Sequence, residues 1–304
     1  MKYHNPIITG FHPDPSVCRV GNDFYLVNSS FEYFPGIPIY HSTDLTHWEQ
    51  IGHVLDRKNQ LKLVSGAPNC LGIYAPTIRY HEGIFYCIVT NVGGRSGGNF
   101  FVYTTDPYGR WSNPVKLPFA GIDPSLFFDE DGRIYYTGTD TGIYIAEITF
   151  DVVRNDTPKR NELPVSIQNV KCGEKHYIWN GSGGNNPEGP HLYRIHDMYY
   201  LMIAEGGTEY CHMVTIARSK NVYGPYEACP HNPVLSNRST CLNIKAIGHA
   251  DLVEDSQGSW WAVCLGIRPL GYPFRHNLGR ETMLAPVKWE NGWPVMGDNG
   301  TVTE

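Results

Sequence analysis

One pattern recurs five times along the 304 residues of this chain: a polar start, a short apolar run, a turn and an aromatic pair. The units begin at Asp14-Pro15-Ser16, Ala75-Pro76-Thr77, Asp123-Pro124-Ser125, Glu188-Gly189-Pro190 and His249-Ala250-Asp251. Their aromatic pairs are Phe24-Tyr25, Phe85-Tyr86, Tyr135-Tyr136, Tyr199-Tyr200 and Trp260-Trp261. A repeat spaced at roughly 45 to 65 residues marks a propeller or an array, in which stacked units bury faces that no single unit can bury alone.

Each unit has the same internal order. Turns at Gly21-Asn22-Asp23, His81-Glu82-Gly83, Glu130-Asp131-Gly132, His196-Asp197 and Ser256-Gln257-Gly258 separate two strand-like runs, which is the signature of a β-hairpin. A third run closes most units, at Ile39-Tyr40-His41-Ser42, Phe101-Val102-Tyr103-Thr104, Gly142-Ile143-Tyr144-Ile145 and Met213-Val214-Thr215-Ile216. Trp48, Trp111 and Trp289 stand where an outer strand would pack. With three to four strands per unit and almost no helical periodicity, the expectation is an all-β, five-bladed β-propeller spanning 1–304 as a single domain. A β-sandwich or β-helix uses similar turns but does not explain why the polar start returns at the same place. Asn155 to Glu162 and Gly181 to Asn186 read as loops.

Composition narrows the partners. A net charge of −6 and a pI near 6.1 exclude the basic surface that nucleic acid or an anionic membrane demands. No run of 18 apolar residues is present to span a membrane. Met1 to Gly10 lacks the charged and apolar regions of a secretory signal. The eight cysteines are scattered without metal-type spacing, and Cys87 and Cys264 sit in apolar strand patterns. Reduced thiols and a cytoplasmic location are the expectation.

Three starts carry an acid. Inner strands of a propeller open at one end of a central channel, so Asp14, Asp123 and Glu188 are expected around one funnel. Any one of them alone is an ordinary turn or cap residue; three at one phase of a repeat point to a shared site. Carboxyls held in differing environments are the equipment of glycoside hydrolysis, one as acid and one as base or nucleophile. Phe31, Glu32, Tyr33, Phe34, Tyr74 and Trp179 flank the polar starts, and the aromatics among them are candidates to stack on sugar faces, although blade packing accounts for most aromatics.

Longer motifs then become recognisable. Asn5-Pro6-Ile7-Ile8-Thr9-Gly10-Phe11-His12-Pro13-Asp14-Pro15-Ser16, Ser29-Ser30-Phe31-Glu32-Tyr33-Phe34-Pro35-Gly36 and His41-Ser42-Thr43-Asp44-Leu45 closely resemble the β-xylosidase branch of glycoside hydrolase family 43. So do Tyr74-Ala75-Pro76-Thr77-Ile78-Arg79, Gly121-Ile122-Asp123-Pro124-Ser125-Leu126-Phe127, Pro187-Glu188-Gly189-Pro190-His191-Leu192-Tyr193, Gly248-His249-Ala250-Asp251 and Leu278-Gly279-Arg280-Glu281-Thr282. The resemblance spans nearly the whole chain and implies a five-bladed propeller.

It further implies Asp14 as general base, Glu188 as general acid and Asp123 as the modulator of the acid's pKa, in an inverting reaction. Arg280 matches a residue that contacts hydroxyls of the terminal sugar; an ion pair with Glu281 is its plain alternative. His249 matches a channel histidine that lies near, or binds, a calcium or other cation; a simple hydrogen-bonded histidine is the alternative. No cofactor is required, and any calcium in the central channel is expected to be structural or electrostatic. Phe31, Tyr74, Arg280 and His249 are the expected substrate-binding residues. Tyr74 departs from the tryptophan of many relatives, and the C-terminal β-sandwich usual among them is expected to be absent.

The implied function is exo-hydrolysis of terminal β-1,4-linked xylose, or of α-L-arabinofuranose, from xylo-oligosaccharides or arabinosides. An endo-arabinanase and a catalytically silent carbohydrate-binding propeller are the alternatives. The Arg-Asp-Pro and Glu-Cys signatures of sucrose- and fructan-cleaving propellers are absent.

Overall fold

The strand Ile84–Val92 shows how the sequence builds a blade. Phe85, Cys87 and Val89 pack with the unit before it, while Ile84, Tyr86 and Ile88 pack with the unit after it. Side chains alternate along a strand, so one buried on both faces reads as a continuous apolar run.

The computed structural model describes residues 3–61, 63, 68–93, 97–271, 273 and 275–304. Their strands form five antiparallel sheets. Blade one holds Ser16–Val20, Asp23–Val27, Gly36–Ser42 and Glu49–Leu55. Blade two holds Gly72–Ile73 and Thr77–His81, both paired with Ile84–Val92, then Gly98–Thr104 and Val115–Lys116. Blade three holds Ile122–Phe128, Ile134–Thr139, Ile143–Arg154, Val165–Cys172 and His176–Trp179. Glu188–Ile195, Met198–Glu205, Met213–Ser219 and Glu227–Ala228 make blade four. Lys245–Glu254, Trp260–Ile267, Glu281–Glu290 and Trp293–Met296 make blade five. The units therefore carry four or five strands rather than three to four. No helix occurs among the described residues, so none is long and apolar enough to cross a membrane.

The expected turns close the inner hairpins. His81 pairs with Ile84 across Glu82 (φ 48°) and Gly83 (φ 85°), and Ile195 with Met198 across His196 (φ 49°) and Asp197 (φ 60°). Two consecutive positive φ values give the turn whose twist matches that of the flanking strands.

The first long strand of each blade faces its counterparts in a closed ring, one to two, two to three, three to four, four to five and five to one. Between neighbouring blades lie five separate apolar clusters, one at each junction. Trp179 belongs here: its strand pairs with Ile143–Arg154, and its ring packs in the junction of blades three and four. It is a blade-packing residue, not a pocket aromatic. The ring closes without strand exchange. Residues ahead of blade one lie along blade five, where Ile8 bridges Thr282, Asn5 Nδ2 donates to the Leu284 and Thr303 carbonyls, and Leu284 N donates to Asn5 Oδ1.

Candidate active site

The starts of the inner strands share an unusual backbone. Asp14 (φ 53°), Asp123 (φ 54°) and His249 (φ 47°) are left-handed, a conformation that costs a non-glycine residue about 1–3 kcal/mol and persists where surrounding structure imposes it. In blades three, four and five the ladder slips at this point, so that two residues oppose one: Asp123-Pro124, Gly189-Pro190 and His249-Ala250. Such bulges bend the strand and re-aim side chains.

In blade four the left-handed position belongs to Gly189 (φ 59°), which makes Gly189, not Glu188, the counterpart of Asp14 and Asp123. Glu188 stands one residue earlier. A Cβ on Gly189 would lie 3.0 Å from the His249 ring, so glycine is needed there for space as well as conformation. Its N–H donates to Asp123 Oδ2 at 3.2 Å.

All seven residues expected at the site meet in one cavity of about 280 Å³, lined by Asp14, Phe31, Tyr74, Asp123, Glu188, His249 and Arg280 together with Cys70, Ala75, Ile122 and Thr208. Tyr33 and Phe34 are exposed and Glu32 lines a separate cleft, so only Phe31 and Tyr74 of the flanking aromatics face this cavity. Their ring centroids are 5.3 Å apart, and the Tyr74 hydroxyl donates to the Cys70 carbonyl at 2.8 Å. Larger cavities of about 440, 380 and 360 Å³ lie elsewhere, and none of the three is lined by a buried acid.

Asp14 is held from two sides. Ser29 Oγ donates to Oδ2 at 2.6 Å, and Arg280 Nη1 donates to Oδ1 at 3.0 Å while also reaching Thr208 Oγ1 at 2.9 Å. The guanidinium lies 5.3 Å from the centre of the Phe31 ring. Arg280 does not pair with Glu281, because consecutive residues point to opposite faces; Glu281 is fully buried and takes a two-pronged contact from Arg268 at 2.7 and 3.0 Å.

The acids are driven apart in pKa. Burial pushes the Asp14 carboxyl up, but the Arg280 guanidinium, the His249 ring, the Ser29 hydroxyl and His212 together leave it below the ordinary aspartate value. Burial, followed by the Asp14 charge, raises Glu188 from 4.5 to about 7 against the pull of Arg280. Burial and then the charges of Glu188 and Asp14 push Asp123 well above its usual value. The pocket thus holds an ionised Asp14 beside two acids that keep their protons to higher pH than free carboxyls do, because like charges in one dry site cannot all ionise.

His212 was not foreseen. It is fully buried, its Nε2 lies 3.8 Å from Glu188 Oε1, and neither ring nitrogen has a well-formed hydrogen bond. Burial and the neighbouring His249 take its pKa down to about 3, so the ring is neutral. A Cβ at Gly248 would fall 2.3 Å from this ring, which explains that glycine. His212 directly precedes the third strand of blade four, as Arg280 directly precedes the third strand of blade five. The repeat phase was the signal that could have found it.

His249 is buried, and burial lowers its pKa. Among the described residues no three His, Cys, Asp or Glu side chains gather as a metal cage. Calcium takes six to eight oxygen ligands, waters among them, so any calcium beside His249 would complete its shell with water rather than with a cage of protein side chains. No catalytic step is derived through a metal.

Comparison with known proteins accords with this geometry. The profile of glycosyl hydrolases family 43 matches residues 3–294. Over 99% of its length the chain is 50% identical to a non-reducing end alpha-L-arabinofuranosidase of Bacteroides ovatus, covering 55% of that protein. It is 48% identical over 96% of its length to a xylosidase/arabinosidase of Butyrivibrio fibrisolvens, covering 56% of it. The structure of a xylan beta-1,4-xylosidase from Bacillus halodurans superposes with a TM-score of 0.86 at 38% identity, over 99% of this chain and 57% of the other. The chain spans a little over half the length of these relatives. On fold, motifs and coverage together, it belongs to glycosyl hydrolases family 43.

Proposed function

We propose that the chain forms the catalytic propeller of an inverting exo-glycosidase that removes a terminal pentose, β-1,4-linked xylose or α-L-arabinofuranose, from short xylan-derived or arabinoside substrates. The observation that carries this reading is one pocket that holds Asp14, gripped by Ser29 and Arg280, beside Glu188 and Asp123, an enclosure that lowers the first carboxyl and raises the other two. Ionised Asp14 takes a proton from the water that attacks the anomeric carbon. As the glycosidic C–O bond breaks, Glu188 delivers its proton to the departing oxygen. Asp123 faces Glu188 as a second acid, and their mutual repulsion keeps a proton at the pair. Arg280 holds Asp14 ionised, and its planar fork has further donors for vicinal sugar hydroxyls. Phe31 and Tyr74 offer rings to the sugar face.

Pocket size supports exo action. Ligand sites commonly occupy about 300–1,000 Å³, and about 280 Å³ suits one sugar residue rather than a polysaccharide lying across a groove. The related proteins named above act on one pentose, the other or both, which supports the substrate class without choosing within it.

The test is hydrolysis of nitrophenyl β-D-xyloside, nitrophenyl α-L-arabinofuranoside and xylobiose by wild type, Glu188→Gln and Asp14→Asn. General acid–base groups contribute about 10²–10⁴-fold, so both variants should lose activity on that scale. Glu188→Gln should lose less on nitrophenyl glycosides, whose leaving group needs no proton. NMR should show the inverted anomer as first product. Wild type that binds xylo-oligosaccharides but cleaves none of the three would make this a binding propeller instead.

A further inference from the structure

One layer below the pocket, two residues further along each inner strand, lies a second set of polar side chains. Asp14 is followed by Ser16, Ala75 by Thr77, Asp123 by Ser125, Gly189 by His191 and His249 by Asp251. All five of these are buried, and Asp251 is at the centre of the set. Its Oδ2 accepts from Ser16 Oγ at 2.6 Å, from Val17 N at 3.1 Å and from Arg79 Nη1 at 2.7 Å. Its Oδ1 accepts from Arg79 Nη2 at 3.0 Å, from Tyr193 OH at 2.6 Å and from Leu252 N at 3.0 Å.

The contacts run on to every blade. Arg79 Nη2 also donates to His191 Nδ1 at 3.0 Å, and Ser125 Oγ lies 3.3 Å from the same nitrogen. Since Arg79 can only donate, Nδ1 is the acceptor and His191 is neutral, in keeping with burial taking its pKa down to about 3. Ile78 N donates to Ser16 Oγ at 3.1 Å, and Leu252 N also reaches the Tyr193 hydroxyl at 3.0 Å. Blades one to five thus contribute Ser16, Arg79, Ser125, His191 with Tyr193, and Asp251.

Two of these anchors sit close to the reacting groups in the chain. Ser16 is two residues from Asp14, and His191 is three residues from Glu188. No direct hydrogen bond joins Asp14 to Glu188 among the described residues. A path of short contacts through Ser16, Asp251, Tyr193 and Arg79 does join their strands.

We propose that Arg79, Asp251 and Tyr193 form a bolt across the channel floor that positions the Glu188 strand against the Asp14 strand, setting the spacing of the two carboxyls from below. These are positioning residues, not catalytic ones. The inference rests on reading Asp14 and Glu188 as base and acid. An inverting reaction needs the pair held far enough apart to admit a water and close enough to act together. Misplacement by about 1 Å can cost on the order of a hundredfold in rate.

The test uses Tyr193→Phe, which removes one hydroxyl, and Arg79→Lys, which keeps the charge but loses the two-pronged grip. The expected result on nitrophenyl β-D-xyloside and α-L-arabinofuranoside is a fall in kcat of about tenfold to a hundredfold with KM little changed. A second readout needs no turnover. In protein labelled with carboxyl-¹³C glutamate, the Glu188 resonance, assigned by its loss in Glu188→Gln, is titrated in each variant. Glu188 faces Asp14, Asp123, Arg280 and His212, and loosening the bolt should weaken repulsion from Asp14 and move the titration to lower pH. Unchanged kcat and an unchanged Glu188 titration in both variants, with only Tm reduced, would reduce the set to a structural brace and overturn the proposal. Wild type that cleaves neither glycoside would defeat the enzymatic reading, and the titration would still decide whether the bolt governs the pair.

Discussion

Glu188 and Asp251 lie on adjacent inner strands, in the upper and lower layers of one channel, and they titrate in opposite directions. Burial raises both. Asp251 receives six donors, including both arms of Arg79, and its carboxyl is held well below the usual range. Glu188 has the His212 ring at 3.8 Å and no hydrogen bond to its carboxyl among the described residues, and it rises to about 7. Asp123, with one backbone donor, also rises, while Asp14, with Ser29 and Arg280, falls. What separates a structural carboxylate from a reactive acid here is the supply of donors, not the degree of enclosure.

The largest test of that contrast is Asp251→Ala. It leaves Arg79 enclosed without a counter-charge, and breaking a buried pair costs about 3–5 kcal/mol. Urea unfolding should show that loss. A variant as stable as wild type would show that water replaces the carboxylate, and that donor supply is not what distinguishes the two layers.

Next in size is the opposite behaviour of Glu188→Gln. The folded pKa of Glu188, about 7, lies above its unfolded value near 4.5. Its stabilising contribution is therefore complete below pH 4.5 and is lost as pH rises through 7. At pH 8 the Gln variant should exceed wild type by on the order of 2–4 °C in Tm, and the gain should vanish at pH 4. Asp251 has the reverse sign: its depressed pKa gives stability above the unfolded value of 3.8 that is lost on acidification. The same Glu188 titration predicts that kcat/KM declines as pH climbs through about 7.

The smallest is Gly189→Ala. A left-handed alanine costs about 1–2 kcal/mol, and its methyl would press on the His249 ring. Thermal scans should register that modest loss, and kcat should fall further than stability alone explains. Equal activity per folded molecule would place the bulge outside the alignment of Glu188.

Much of this was legible in the sequence. Apolar runs such as Ile84–Val92 announce strands covered on both faces, and the five polar starts announce the ring. The motifs carried Asp14, Asp123, Glu188, Phe31, Tyr74, His249 and Arg280 to the pocket that the structure describes. Other features were hidden for physical reasons. In the repeat alone Glu188 is in phase with the other acids; ladder slippage shows that Gly189 holds the common position. His212 stands in an unremarkable polar stretch and gains its meaning from enclosure beside Glu188. Arg79 and Asp251 are 172 residues apart in sequence, and no local pattern reports a contact of that span. Trp179 resembled a sugar platform because adjacency to a polar loop does not reveal which way an edge-strand side chain faces.

The closure of the ring has a mechanical consequence. The chain crosses four of the five blade junctions covalently; among the described residues the junction of blades five and one is spanned by non-covalent contacts, including the Ile8 bridge to Thr282 and the side-chain grip of Asn5. Asp14 stands on one lip of that seam and Arg280 on the other. Parting the seam severs no covalent link and withdraws the cation that keeps Asp14 ionised. Thermal inactivation should therefore begin as a breathing of this joint, with turnover failing while the β-structure of the blades is still intact.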